Sequence, residues 1–422
     1  MWRGRVGILV LVLVAAVVAV PLYAGAGGGT RADQVEVYSW WTGPGEEDGL
    51  GAMIADFQAR NPGVHLVNAA VSGGAGSNAK AILASRLLAN DPPDSYQRHA
   101  GLELADDVRS GKVADLTALY AEQGWTKVLP RGLLDKLAID GKLYSVPVNI
   151  HRANLVWYNP ATLRALGIAH PPRSWAEFLK QAELIRTKGR TPLSIGPQWT
   201  QKHLLETVLL GELGPDGYED LWRGPSGWTQ PATRAALETF RKVLAQSDIG
   251  SSAADWQPQL DRVTDGSAVY AVMGDWTYSY LAITKRMLLG QQFAVAASPG
   301  TDGVYDFLSD SFTLPVGARH PDLARRWLIE CGSATGQDLF NPLKGSIPAR
   351  TDTDASRYTG YLADDLRQWQ DPHTRIVGSL AHGVVADNAW NAEIDTALGL
   401  FLRNGNTARF AAAVGAAYEA TR

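Results

Sequence analysis

The chain has 422 residues, a formal net charge of −4 and a single cysteine, Cys331. The acidic balance argues against nucleic acid as a partner, because phosphate backbones are held by clustered Lys and Arg. One cysteine excludes an intrachain disulfide and a cysteine-based metal site, so stability has to come from core burial, which this length permits.

The N-terminus reads as a targeting segment. Arg3 and Arg5 precede an apolar run over residues 6–20, and Ala24-Gly25-Ala26 supplies the small residues of a cleavage site. The run is shorter than the ~20 residues of a membrane span. Cleavage of a signal peptide over residues 1–26 is therefore expected rather than an uncleaved anchor. Its loss would remove two arginines and no acid, taking the net charge from −4 to −6. No cysteine lies near it, so a lipid anchor is not expected, and the mature protein is placed outside the cytoplasm.

Strand and helix signals then alternate, which favours an α/β fold. Residues 35–41 read as a strand that ends in adjacent indoles, Trp40 and Trp41, before a Gly43-Pro44-Gly45 turn and Glu46-Glu47-Asp48. Leu50, Met53, Ile54 and Phe57 follow at helical spacing, and Asn61-Pro62-Gly63 ends that helix. A second strand is predicted over residues 64–71 and a helix over 79–88. Later helices open at Asn159-Pro160, at the capping box Ser174-Trp175-Ala176-Glu177 and at Thr229-Gln230-Pro231, and the stretch beyond residue 355 reads as mostly helical. There is no internal repeat and no linker, so the chain forms one large domain or two lobes that it crosses more than once. The extended runs 144–148 and 307–311 are the candidate crossings.

Adjacent indoles beside carboxylates have the parts of a sugar site: apolar C–H faces lie on aromatic rings, and hydroxyls bind charged groups. Fourteen tryptophans in a secreted chain fit that reading, although most are expected in the core. Gln97 and His99 alternate at period two and share a face if their segment is a strand. The polar run Asn149-Ile150-His151-Arg152-Ala153-Asn154 reads as a hinge, a cleft wall or a set of structural hydrogen bonds. Trp256 and Gly274-Asp275-Trp276 place further indoles in polar surroundings, with Asp275 also suited to capping the next helix. Asp310 interrupts an apolar strand and needs polar partners. Lys344 sits in a turn held between prolines, and His382 in a loop of small residues that permits close ligand approach.

Gly74-Ala75-Gly76-Ser77-Asn78-Ala79 fits the relaxed dinucleotide pattern G-x-G-x-x-A, but a secreted chain has little access to nicotinamide cofactor, and Asp94 follows a loop signal. A Gly-rich turn beside a cleft is the better reading, and neither cofactor nor metal is expected. Nucleophile-elbow and zinc-helix signatures are missing. Glycosidase chemistry needs only two carboxylates across a cleft, for which Glu46, Asp275 and Asp310 are candidates.

Taken together, Ser39-Trp40-Trp41-Thr42-Gly43, residues 67–71 with Ser72-Gly73-Gly74-Ala75-Gly76, and Gln97-Arg98-His99-Ala100-Gly101 resemble the sugar-binding components of ABC importers. So do Val146-Pro147-Val148-Asn149-Ile150-His151-Arg152, Val272-Met273-Gly274-Asp275-Trp276, Leu308-Ser309-Asp310-Ser311-Phe312 and Asn341-Pro342-Leu343-Lys344-Gly345-Ser346. The class is that of maltose-binding protein, and its glucose-binding group is the best match. The resemblance implies a type II periplasmic-binding fold with a sugar between two α/β lobes, residues 34–148 plus 307–345 and residues 149–306 plus 346–422. It implies as ligand residues Trp40, Trp41, Glu46, Gln97, His99, Trp256, Trp276, Asp310, Lys344 and His382, with Glu47 as an alternative to Glu46. A monomeric, non-enzymatic carrier of a monosaccharide follows, glucose ahead of mannose and galactose, with importer permease subunits as partners. A secreted glycosidase and a membrane-anchored sugar sensor are the alternatives.

Overall fold

The computed structural model describes residues 33–73, 76–248 and 255–421, so the expected signal peptide lies outside the described residues. Strand β1 (Gln34–Ser39) buries Val35 and Val37 at alternate positions. It ends at Ser39 rather than at the indoles, which lie in the segment leaving the sheet. Gly43-Pro44-Gly45 is not a separate turn. Gly43 is the N-cap of helix α1 (Pro44–Arg60), and Pro44 occupies a first-turn position where no N–H is needed.

Strands β2 (His65–Ala70) and β3 (Ser95–His99) flank β1 in parallel, with helix α2 (Ser77–Leu88) between them in the chain. Asp310–Thr313 continues the sheet antiparallel to β3, setting Asp310 opposite His99, and Ser145–Pro147 closes it. Sequence-distant segments are thus neighbours in one five-stranded sheet. The other lobe is built on a four-stranded sheet ordered Ala294–Ala297, Leu155–Tyr158, Ala268–Val272 and Thr191–Ser194. Its core joins Val156, Leu193 and Tyr270 to residues of the helices Trp175–Thr187, Gln198–Trp222, Pro231–Leu244 and Asn388–Asn404.

The C-terminal region is not wholly helical. Arg375–Gly378 is a strand parallel to Val304–Leu308, which pairs on its other edge with His151–Arg152. This small sheet is separate from the two larger ones. Ile150 and Ile347 exchange backbone hydrogen bonds of 2.7 and 3.1 Å, and the Val148 N–H donates to the Asp310 carbonyl at 2.9 Å. The polar run 149–154 ties these segments together. Asn149 Nδ2 donates to Asp310 Oδ2 at 2.8 Å and its Oδ1 accepts the Asp310 N–H at 2.7 Å, while Asn154 Nδ2 donates to the Val304 carbonyl at 2.9 Å.

Two glycines let α1 lie close to the helix Ala334–Lys344. A Cβ on Gly45 would stand 2.7 Å from the Leu343 carbonyl, and one on Gly49 would stand 2.9 Å from the Phe340 ring. This approach brings the end of the later helix, with Lys344, beside the first turn of α1.

Candidate functional site

A cavity of about 460 Å³ opens between the two sheets, and nine of the ten expected residues border it: Trp40, Trp41, Glu46, His99, Trp256, Trp276, Asp310, Lys344 and His382. The two indoles of the opening motif divide between core and cavity, although both lie beyond the end of the strand. Trp41 is fully buried, its ring packed against Phe312 and Phe340, so its side chain belongs to the core. Trp40 is half-buried at the cavity, 5.1 Å between ring centres from His99, with Lys80 Nζ 5.1 Å above its ring. Its indole packs on Gly76, where a Cβ would come within 2.8 Å and where φ is +93°. The glycine at the end of the Gly-rich turn therefore accommodates an indole, not a phosphate.

Gln97 does not border the cavity. It stands behind the wall, accepting the Trp40 N–H at 3.1 Å and donating to Asp310 Oδ1 at 2.9 Å. Asp310 is almost fully buried and also takes a hydrogen bond from Asn149, with His99 Nε2 at 3.8 Å and His151 Nε2 at 3.6 Å. Burial favours its neutral form, but His99, Lys344 and His151 outweigh that and hold its pKa below the ordinary carboxylate value.

Glu46 rather than Glu47 faces the cavity; Glu47 is exposed. Glu46 accepts the Thr42 and Gly43 N–H groups at 3.2 and 3.1 Å and the Lys344 ammonium at 2.9 Å. Lys344 is buried, not solvated. Burial works against its charge, yet Glu46 and Asp310 keep its pKa above the usual lysine value.

Asp275 stands at the N-cap position of the short helix Trp276–Tyr278, but its side chain makes no capping hydrogen bond, and it does not border the cavity. Fully buried, it contacts His151 Nδ1 at short range and accepts the Arg152 N–H at 2.9 Å. Burial drives the Asp275 pKa well up and that of His151 down to about 3. Its neighbour Trp276 lies over Gly274, where a Cβ would meet the indole at 2.1 Å, and its ring stands near His151 and His382. Trp256 meets Tyr280 edge-on across the same wall.

Several lining residues carried no individual sequence signal. Glu103 accepts Lys80 Nζ at 2.9 Å and contacts His99 Nδ1 at 2.7 Å, and these two groups overcome burial to depress its pKa strongly. Its spacing of four from His99 was the available hint. His151 belongs to the polar run already singled out, and its Nε2 has no hydrogen-bond partner. Lys202, bonded to Asn391 and Asp395, lines the outer part of the cavity with Trp199. Behind His382, one ligand atom each from His203, Glu206 and His382 lie within 4.8 Å of one another, so these three are the described residues able to hold a metal ion.

Aromatic faces beside fixed acceptors and donors suit a polyhydroxylated solute. No helix among the described residues is long and apolar enough to cross a membrane. The chain is 31% identical to an uncharacterized ABC transporter extracellular-binding protein of Pyrococcus horikoshii, over 93% of this chain and 91% of that one. It is 29% identical to a probable sugar-binding periplasmic protein of Rhizobium meliloti, over 83% of this chain and 85% of the relative. Among solved structures, the bacterial solute receptor AcbH, described as preferring β-D-galactopyranose, superimposes with a TM-score of 0.79. The two share 16% identity over 92% of this chain and 98% of the receptor, a likeness of fold. Residues 33–338 match the bacterial extracellular solute-binding protein family, and the chain belongs to that family, with its two-lobe fold.

Proposed function

We propose that the protein captures a monosaccharide in the cavity, glucose ahead of mannose and galactose, and delivers it to an ABC sugar importer. The observation that carries this reading is Asp310: a buried carboxylate kept ionised at the cavity wall, with Gln97 and Asn149 fixing both its oxygens. An acceptor oriented in this way suits a sugar hydroxyl. Trp40 and Trp276 supply faces for the pyranose ring, Glu46 accepts, Lys344 donates, and His99 and His382 do either. Hydrogen bonds to charged groups contribute roughly 1.5–3 kcal/mol each. A few of them with stacking reach the roughly −8 kcal/mol of micromolar affinity after ordering and desolvation costs.

The lobes, residues 34–148 plus 307–345 and residues 149–306 plus 346–422, close on the sugar about the crossings at 148–149, 306–307 and 345–346. Contacts made to both lobes give the closed form the higher affinity, which is what shifts a hinge equilibrium. Permease subunits then read the closed form. Sugar-binding naming in a relative supports this reading, as does membership of a family of binding proteins rather than enzymes. Calorimetry with a panel of glucose, mannose, galactose and disaccharides tests it, with tryptophan fluorescence as a second readout. Saturable binding of a monosaccharide and no turnover of a chromogenic glycoside are expected; a flat titration with every sugar overturns it.

A further inference from the structure

His382, which the sugar reading also uses, converges with two ligating side chains behind the cavity wall, His203 and Glu206. His203 and Glu206 lie three residues apart on the helix Gln198–Trp222 and so share a face. His203 and Glu206 are fully buried and His382 nearly so. One ligand atom of each lies within 4.8 Å of the others.

The hydrogen bonds around them decide which atoms are available. His203 Nε2 donates to the Ala153 carbonyl at 2.8 Å, so Nδ1 carries the lone pair, and Nδ1 has no hydrogen-bond partner. The Ser379 hydroxyl donates to Glu206, 3.0 Å from each oxygen, and therefore accepts from His382 Nδ1 at 2.8 Å. That leaves the lone pair of His382 on Nε2. Glu206 is held further by the Ala381 N–H at 2.8 Å. Each imidazole thus donates its other N–H to an oxygen, the arrangement that orients histidines toward a metal.

We infer that His203, Glu206 and His382 form a binding site for a divalent transition-metal ion such as zinc. Two imidazole nitrogens and one carboxylate oxygen are a zinc donor set with a position left for solvent or ligand. His382 borders the cavity, so the ion enters from that side. Without an ion the buried His203 Nδ1 has no partner. A cation held with Glu206 and His382 supplies one.

The test is titration of EDTA-treated full-length protein with zinc chloride at neutral pH, without sugar. One zinc per chain with micromolar or tighter affinity is expected, with cobalt giving visible absorption bands of low-coordinate geometry. His203→Ala and Glu206→Gln should each weaken zinc by at least ~10-fold. Glu206→Gln keeps the side-chain shape and serves if His203→Ala does not fold, as judged by circular dichroism. No saturable zinc or cobalt binding, or binding unchanged in the folded variants, overturns the inference. Because the titration contains no sugar, protein that binds sugar but no zinc would sink this site and leave the sugar reading standing, and protein that binds zinc but no sugar would do the reverse.

Discussion

Two sets of carboxyl groups are equally hidden from water and carry opposite charge states. Asp310 and Glu103, at the cavity, have pKa values pulled down. Asp275 and Asp365, beside the small sheet at Arg152 and Tyr305, have theirs pushed up, Asp365 to about 8. Burial raises all four. The difference lies in the basic side chains placed within reach: His99 and Lys344 around Asp310, and Lys80, His99 and Arg98 around Glu103. Asp275 and Asp365 face each other, with Arg152 too weak to offset burial and mutual repulsion, and Asp365 Oδ2 accepts from the Tyr305 hydroxyl at 3.0 Å. Burial alone therefore does not decide the charge of these acids; the basic groups beside them do. The acids at the cavity are pulled toward their charged form, and those beside the small sheet are pushed toward their neutral form.

The largest effect expected from this contrast is on ligand binding. Asp310→Ala should weaken sugar binding by ~10-fold or more, because a charged acceptor is lost and the Gln97 and Asn149 donors are left unpaired. Calorimetry checks it, and unchanged affinity would sink this site. Lys344→Met attacks the cause instead. With that cation gone, Asp310 should protonate at higher pH, so sugar affinity measured from pH 7 to 4 should begin to fall earlier than in the parent protein.

Stability should then divide by pH in opposite senses. Glu103 has a folded-state pKa below its unfolded value near 4.3. Its contribution is complete above that value and is lost as pH falls through the folded pKa, so Glu103→Gln should flatten the acid limb of melting temperature against pH. Asp365 runs the other way. With a folded pKa of about 8 and an unfolded one near 3.9, its contribution is present at low pH and is lost as pH rises from about 4 to 8. Asp365→Asn should flatten that decline. If both variants change the same limb, the contrast between the cavity acids and those beside the small sheet is broken.

Local rules made much of this legible. The apolar alternation of Val35 and Val37, the spacing of Leu50, Met53 and Phe57, and the caps at Asn159 and Ser174 all correspond to elements of the structure. Gln97 and His99 do share a strand, and Asp310 has the polar partners a buried carboxylate needs. What sequence left open was settled by contacts far along the chain. Both indoles lie beyond the end of the strand, and only Phe312 and Phe340 decide that Trp41 is the one turned into the core. Lys80, Glu103 and His151 gain their character from partners on other elements, which no local pattern encodes. The strand Arg375–Gly378 escaped because its apolar content is only Ile376 and Val377, and its stability comes from pairing with Val304–Leu308.

The smallest effect concerns how the cations reach the cavity acids. Lys344 meets Glu46 because Gly45 and Gly49 let α1 lie against the helix Ala334–Lys344. A Cβ at Gly49 would stand 2.9 Å from the Phe340 ring and 3.0 Å from its carbonyl oxygen, so one backbone must yield. Overpacking of this kind costs roughly 1–3 kcal/mol, partly offset by the helix preference of alanine, about 1 kcal/mol over glycine. Gly51, on the same helix, has nothing within 4 Å of an added Cβ. Gly51→Ala should therefore raise stability by up to about 1 kcal/mol, while Gly49→Ala should lower it and weaken sugar binding by shifting Lys344 from Glu46. Urea unfolding and calorimetry on the two variants separate the effects. Equal stability changes at both positions would mean that the close approach of the helices is not what brings Lys344 to the cavity.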